Sequence, residues 1–425
     1  MLGLTSQNMS SQLELPNEDY VPDEQENGNN SQPPAEISST GKVYFVSTLG
    51  DDDNLGSRDK PFRTIAFAVS KMVAGDTTYA RGGIYKEALI RFDKTGTETK
   101  PIKLLNYPNE LPIVDFGVNG DRSKTDRRFE FQNAEGLIKP MGWITLEGFE
   151  IRNGYNAIKY YNLHDSIIRR NNMHHHVSSG IKGNGSLRVT IDRNRIHANG
   201  DFAGCERGDL TENGAGQTTV CNQQHGLYID GRFLVITNNL IYNNLCTGVQ
   251  MNGSSGYSPN GHTSVEFSGA YDWTIANNTI AYQYYCPGIV VWGSQSVRTK
   301  IYNNIFYENG TSRDSNQTNG ITITASVDQK VEVTNNLFYE SGSGATLPIN
   351  SAAVEDVQFT QSGNIYDKSP AFVNAPAVLP SSPNFILTSQ SSARDKGITT
   401  SATKIDFLGV PRLRGGAYDI GAYEY

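Results

Sequence analysis

The sequence predicts an all-β fold, a right-handed parallel β-helix with an N-terminal helical cap. Two recurring segments and the composition carry that expectation. An asparagine-centred motif returns at Asn171, Asn194, Asn239, Asn278, Asn304 and Asn336, in steps of 23, 45, 39, 26 and 32 residues. A second short segment, opening on a small residue, returns between those copies. Across 425 residues, hydrophobic (37%) and charged (19%) fractions are both low, yet 42 Gly, 22 Tyr and 17 Phe argue against disorder over most of the length.

Residues 1–41 are expected to form a flexible acidic linker. Ser6 to Thr40 is rich in Asn, Ser, Gln, Glu and Pro, and too poor in apolar surface to offset the entropy of ordering. One β-helix domain is expected over 42–425. It divides into an N-terminal cap and first coils (42–142), regular coils with an asparagine ladder (143–370) and a C-terminal capping tail (371–425). Lys42 to Ser47 alternates as a strand. The loop holding Asp51, Asp52 and Asp53 reads as a solvated turn. Pro61 to Val69 reads as an amphipathic helix, with Ile65, Val69 and Met72 at helical spacing. Gly75 and Asp76 end it, and Thr77 to Tyr85 returns to strand.

From Ile144 onward the chain repeats. The motif, as in Ile167-Ile168-Arg169-Arg170-Asn171-Asn172-Met173-His174, reads as strand, tight turn, strand. Asparagine suits the turn because it tolerates the left-handed conformation. Stacked one above another, the six amides should bond rung to rung. An apolar residue two positions after each rung keeps the register. The second segment runs Ala157-Ile158-Lys159-Tyr160-Tyr161, Gly180-Ile181-Lys182-Gly183-Asn184, Gly226-Leu227-Tyr228-Ile229-Asp230 and onward to Gly320. Strand side chains alternate in direction, so Ile158, Ile181, Leu227, Val249, Ile289 and Ile321 should point inward. Three short strands per coil, stacked in parallel, give one long, narrow core.

With 36 basic and 44 acidic residues the net charge is -8, which excludes a global nucleic-acid footprint. An acidic polymer would have to meet a local positive patch. No apolar run approaches the ~20 residues of a membrane span. Met1 to Ser6 lacks the regions of a signal peptide, so an exported form is expected to be numbered from after its leader. None of the four cysteines forms a CxxC pair, which argues against a zinc or redox site. Cys205 and Cys221 share an insertion, and Cys246 and Cys286 each precede the opening glycine of their strand by two residues. Disulfides Cys205–Cys221 and Cys246–Cys286 are expected, and with them an oxidising compartment. Reduced, stacked thiols remain the alternative for the second pair.

The segments Tyr44 to Ser47, Pro61 to Ile65, Gly75 to Thr77 and Arg81 to Tyr85, with the ending Asp406 to Arg412 and Asp419 to Glu424, resemble the pectate-lyase-like parallel β-helix superfamily. The opening is similar to family-9-type polysaccharide lyases. Their strand bearing the lysine base reads His225-Gly226-Leu227-Tyr228-Ile229-Asp230 here, with Asp230 at the lysine position. The resemblance implies a secreted or cell-surface protein, extracellular or periplasmic, acting on a polysaccharide as a monomer. It also implies a groove along the outer face of the first strand stack.

The outward residues of that stack are Lys159, Tyr161, Lys182, Asn184, Tyr228, Asp230, Gln250, Asn252 and Trp292. Aromatics can stack on sugar rings and amides can bond hydroxyls. Lys159 and Lys182 should lie about 4.8 Å apart at the backbone. Their mutual repulsion should lower one pKa and leave a neutral base. The positive neighbour would pair with a uronate carboxylate. His225 or Tyr228 would then protonate the leaving oxygen, completing a β-elimination. Hydrolysis needs two carboxylates, roughly 5–5.5 Å apart for retention or 6.5–9.5 Å for inversion. Asp230 with Asp201, Glu206 or Asp209 would supply them. Uronate C5-epimerisation and a non-catalytic carbohydrate-binding or adhesin solenoid are further readings. The run His174-His175-His176 cannot hold one ion from a regular strand, so His176 is expected at a turn or against substrate. No motif in the sequence fixes a cofactor. Calcium is the candidate ion, on Asp201, Glu206 and Asp209.

Overall fold

The computed structural model describes residues 41–118, 123–202, 224–253, 267–293, 296–310, 319–324, 330–339, 349–351 and 359–425. The expected linker lies outside them except for Gly41. Among the described residues the architecture is a parallel β-helix of three sheets, with a single short α-helix. One coil shows the plan: Ile158–His164 in sheet I, Ile167–Arg169 in sheet II and Asn172–His174 in sheet III. Each strand pairs in parallel with its counterpart one coil on, so Ile158 faces Ile181, Ile168 faces Ile191 and Met173 faces Ile196. The inward positions Ile158, Ile181, Leu227, Val249, Ile289 and Ile321 are each 0% exposed, as alternation requires. Gly183 is glycine because the ring of Tyr160, one coil below, fills the space of a Cβ.

The cap forms where the sequence expects it. The helix spans Ile65–Lys71, with Thr64 as N-cap accepting from the Phe67 amide. Its buried face of Ile65, Ala68 and Val69 packs on the strands Leu89–Phe92 and Val43–Val46. Asp52 accepts from the Arg63 and Thr64 amides, so the aspartate loop is a turn that braces the helix start.

The ladder runs from Asn171 through Asn336 and continues to Asn364. At each rung a side-chain Oδ1 accepts from both the backbone amide and the Nδ2 of the previous asparagine, as Asn304 does for Asn278 at 2.9 Å in both bonds. Nδ2 also donates to a carbonyl one coil back, Ile236 in the case of Asn278. The expectation that the rung itself is left-handed is corrected. The positive φ belongs to the residue before it: Arg170 (55°), Arg193 (52°), Asn238 (55°), Asn277 (54°), Asn303 (56°) and Asn335 (51°). That conformation turns the next side chain inward, where water cannot compete for its bonds.

A second ladder stands at the next corner, five residues on. The amides of His176, Asn199, Asn244 and Gln283 donate in turn to the side chains of Asn199, Asn244, Gln283 and Asn309. Each rung again follows a left-handed residue, from His175 to Glu308.

Residues 371–425 lie along the side of the solenoid, over the outer face of sheet III. Phe372, Phe385, Leu387 and Ile420 pack with Tyr242, Tyr282 and Tyr307 in a second core. The left-handed asparagines hold this tail: Asn277 donates to Asp419 O, Asn303 to Ile398 O and Asn335 to Lys396 O, while Asn238 accepts from Arg412. Replacing Asn277 by Gly keeps the turn and removes the clasp. It is expected to expose 371–425 to limited proteolysis while the far-ultraviolet spectrum holds. Asn278→Ala should instead destabilise the whole domain by roughly 1–3 kcal/mol, the cost of buried groups left unbonded, read as a lower urea midpoint.

Candidate functional site

Sheet I aligns its outward side chains in columns because successive strands pair without slippage through the first half of each strand. One column reads Arg91, Glu130, Lys159, Lys182, Tyr228, Gln250, Val290, Thr322. Beside it, Tyr161 faces Asn184 and Asn252 faces Trp292. A left-handed residue, Asn162 (46°), Gly185 (84°) or Gly231 (131°), then bends the strand and ends the column. The two lysines are therefore neighbours, as their spacing predicts.

Their ammonium groups lean different ways. Lys159 Nζ lies 4.9 Å from the centre of the Tyr161 ring on its own strand, and Lys182 Nζ lies 5.5 Å from that of Tyr228 on the next coil. The pKa of Lys159 is lowered, first by burial and then by Arg128, with Glu130 opposing. The expected cause, repulsion by Lys182, is thus corrected: burial comes first, and the repulsion that adds to it is that of the Arg128 guanidinium one coil below.

Arg91, Arg128 and Glu130 are the residues that sequence reasoning missed. Glu130 is buried, held by Arg91 Nε at 2.7 Å and by Arg128 Nε at 3.2 Å. The alternation Arg128-Phe129-Glu130-Phe131 was the available signal. It lies before Ile144, where the repeats become recognisable.

Tyr228 stays a neutral phenol, because burial and then Asp230 raise its pKa. Asn252 Nδ2 donates to its hydroxyl at 3.5 Å. His225 is buried with its ring stacked on Tyr228, centres 5.2 Å apart, and burial then Lys182 hold its pKa down to about 3. The expectation of His225 as a proton donor is corrected: a buried, neutral imidazole holds no spare proton at neutral pH and instead supports the phenol. Asp230 turns its carboxylate back onto the Gly185 amide, and burial pushes its pKa up to about 7.

His176 is also corrected, from a substrate contact to a structural rung. It is buried, Nδ1 accepting from the Gly154 amide and Nε2 donating to Ile151 O, each at 3.0 Å. His174 stacks on His197 outside sheet III, away from the column. Asp201 is half-buried and its amide donates to Gln224. Glu206, Asp209 and the pair Cys205–Cys221 lie outside the described residues. Among the described residues no group of three or more His, Cys, Asp or Glu is placed to hold a metal ion. The bond Cys246–Cys286 is present, with Cα atoms 4.6 Å apart. No helix is long and apolar enough to cross a membrane among the residues described.

Residues 44–217 match the Pel9A-like right-handed β-helix region. Over those residues the chain is similar to a family-9-type, pectate-lyase-like parallel β-helix. The uncharacterized protein YwoF of Bacillus subtilis (strain 168) is 41% identical over 80 residues, 19% of this chain and 17% of that protein. Pectate lyase PEL9 of Emericella nidulans is 40% identical over 72 residues, 17% of this chain and 18% of that protein. The matched segment thus spans under a fifth of either curated relative. The crystal structure of pectate lyase Pel9A superposes with a TM-score of 0.54 at 15% identity, covering 90% of this chain and 96% of that one, a likeness of fold.

The carboxyl of Asp230 gives a stability test. Its folded pKa, about 7, lies above the ~3.9 of an unfolded aspartate. The stability it contributes is therefore whole below about pH 4 and lost as pH rises toward 7. Asp230→Asn keeps an acceptor for Gly185 and is expected to raise stability at pH 8 by on the order of 1–3 kcal/mol, solvent at the half-buried carboxyl reducing the full linkage value. Thermal melts of the two proteins should converge near pH 4.

Proposed function

We propose that the chain is a carbohydrate-active enzyme that cleaves an acidic, uronic-acid-containing polysaccharide by β-elimination. The observation that supports this most is the single column in which Lys159, Lys182 and Tyr228 follow one another on consecutive coils. Lys159 and Arg128 pair with the uronate carboxylate and so acidify the neighbouring C5 proton. Lys182, in its neutral form, takes that proton. The C5–H electrons form the C4=C5 bond, the C4–O4 bond breaks, and Tyr228 gives O4 its proton. Lysine and phenolate recover their starting states by exchange with water. Lys182 is the base in this reading because it is the lysine beside Tyr228, and base and acid must serve adjacent carbons. Tyr161, Asn184, Gln250, Asn252 and Trp292 offer the surrounding sugars ring faces and amides. The Cys246–Cys286 bond supports an extracellular or periplasmic site of action.

A second reading is hydrolysis, favoured by the raised pKa of Asp230, which suits a general acid. Elimination produces an unsaturated uronate with a new ultraviolet absorbance, whereas hydrolysis produces reducing ends without it. Epimerisation would give neither. Lys182→Ala and Tyr228→Phe are each expected to lower kcat by roughly 10²–10⁴-fold, and Lys159→Ala to act mainly on KM. Full elimination activity in Lys182→Ala would remove that residue from the mechanism. With its pKa lowered, Lys159 loses its charge at a lower pH than an ordinary lysine. KM for an anionic polymer should therefore rise on the alkaline side, and Arg128→Gln should raise KM at every pH but delay that alkaline rise.

A further inference from the structure

Residues 1–40 hold seven carboxylates and no lysine or arginine, and so carry nearly the whole net charge of -8. Six of the seven lie between Glu14 and Glu26, where Glu18-Asp19-Tyr20-Val21-Pro22-Asp23-Glu24 sets acids on both sides of an aromatic ring. Residues 41–425 are left close to neutral, with 36 basic and 37 acidic side chains. Within them, cations form a row on sheet I. The outward column opens with Arg91, Glu130, Lys159 and Lys182, and Arg128 stands beside it. Glu130 is buried and held by both arginines. From Arg91 to Lys182 the column climbs three coil steps, roughly 14 Å at ~4.8 Å per step.

The acidic segment joins the described structure close to the foot of this row. Gly41 packs against Gly75, and the Lys42 amide donates to Asp76 Oδ1 at 2.7 Å. Lys100 lies beside Gly75. Lys71 closes the helix Ile65–Lys71, and Lys94 Nζ donates to Ser70 O at 2.6 Å. That helix packs on Leu89–Phe92, whose Arg91 heads the column. Lys71, Lys94, Lys100 and Arg91 are all exposed, so basic side chains lead from Gly41 to sheet I. Asp93 and Glu98 are the carboxylates on the stretch that carries Lys94 and Lys100. The other two sheets offer no such row. On sheet III Lys86 faces Asp115, which Arg152 already binds, and on sheet II Lys103 stands between Thr77 and Thr145. Reach is sufficient. A helix is roughly 10–12 Å across, so Lys182 lies about 25 Å from Gly41. A chain of about 15 to 27 residues, the separation of Glu26 and Glu14 from Gly41, spans roughly 20–30 Å on average.

We propose that residues 14–26 lie along the basic row of sheet I in their own chain and compete there with any anionic polymer. Their carboxylates meet Arg91, Arg128, Lys159 and Lys182, and Tyr20 offers a ring face to a guanidinium. Single exposed ion pairs are weak, but the tether compensates, since it sets an effective concentration on the order of 1 mM. A contact with a dissociation constant of ~0.1 mM for the separate peptide would then fill the row about nine-tenths of the time and weaken an anionic ligand about tenfold. The contact itself needs only the charges. It rests on the proposed enzymatic function solely for what the competition restrains, and the two fail separately.

Two measurements on the full chain test this. Carbodiimide joins a carboxylate to a lysine amine in direct contact, and mass spectrometry then locates the bond. At ~0.05 M salt the carboxylates of 14–26 are expected to couple to Lys159 and Lys182 several-fold more than to Lys86 and Lys103, which stand on the early coils of the other sheets. At ~1 M salt, where the screening length falls to about 3 Å, that preference should vanish. Equal coupling to all four lysines, or none, overturns the proposal, as does coupling between two copies that disappears on dilution. The second measurement titrates polyglutamate, an anion that no enzymatic reading requires. The combined variant Glu14→Gln, Glu18→Gln, Asp19→Asn, Asp23→Asn, Glu24→Gln and Glu26→Gln leaves 41–425 untouched. It is expected to bind polyglutamate about tenfold more tightly than the parent at ~0.05 M salt. Equal affinity of the two proteins overturns the competition. If no uronic polymer is cleaved, the lyase reading fails, while cross-links and polyglutamate still decide this one. If one is cleaved, the variant should lower KM and leave kcat unchanged.

Discussion

Buried amide-to-amide hydrogen bonding between coils is the constraint on which the rest of the molecule depends. Burial of one face forbids a slip of one residue, which would turn every outward side chain inward, but nothing in the apolar faces of a parallel stack forbids a slip of two. The asparagine rungs remove that freedom. Asn278 can satisfy its own amide, its side chain and a carbonyl of the coil before it in only one register. Two such ladders at adjacent corners fix the coils between Asn171 and Asn309 twice. Lys159, Lys182 and Tyr228 keep their place in one column because the ladders hold the register in which their strands pair.

The same two-ladder plan explains why chemistry and support separate so cleanly. The corner residue after the left-handed His175 points into the core, so His176 is buried and neutral, and His225, packed just ahead of the strand that carries Tyr228, is buried and neutral too, though both look chemically capable in the sequence. Outward strand positions before the bend at Asn162, Gly185 or Gly231 form the exposed columns. The charge of the protein follows a similar division. A net charge of -8 coexists with a strip on sheet I where cations outnumber carboxylates, because the buried Glu130 spends its charge on two arginines.

Much of the fold was legible because its signals are local and periodic. The alternation of Ile158 to Tyr161, the rungs from Asn171 to Asn336 and the helical spacing of Ile65 and Val69 all survive in the structure. The second ladder was less visible because its rungs mix His, Asn and Gln, though each stands five residues after a rung of the first. The candidate site was legible as a column but not as an electrostatic unit. Arg91, Arg128 and Glu130 lie in coils without asparagine rungs, so no motif tied them to Lys159. The burial of His225 depends on packing between coils, which spacing alone does not convey. The course of the tail was also hidden, although the Asn-Asn pairs at 238, 277, 303 and 335 mark where it docks, while Arg170 and Arg193 hold the first place of the pair at the corners of earlier coils.

A stack in which each layer touches only its neighbours tends to fray from its ends one layer at a time. The strap formed by 371–425 changes that behaviour. It ties Asn238, Asn277, Asn303 and Asn335 to one continuous stretch of chain, through pairs as far apart in sequence as Arg412 and Asn238. The last coils cannot peel away singly while the strap is seated, so melting there becomes all-or-none. During folding the strap can seat only after four separate layers have formed, which makes it a late seal on a domain assembled layer by layer.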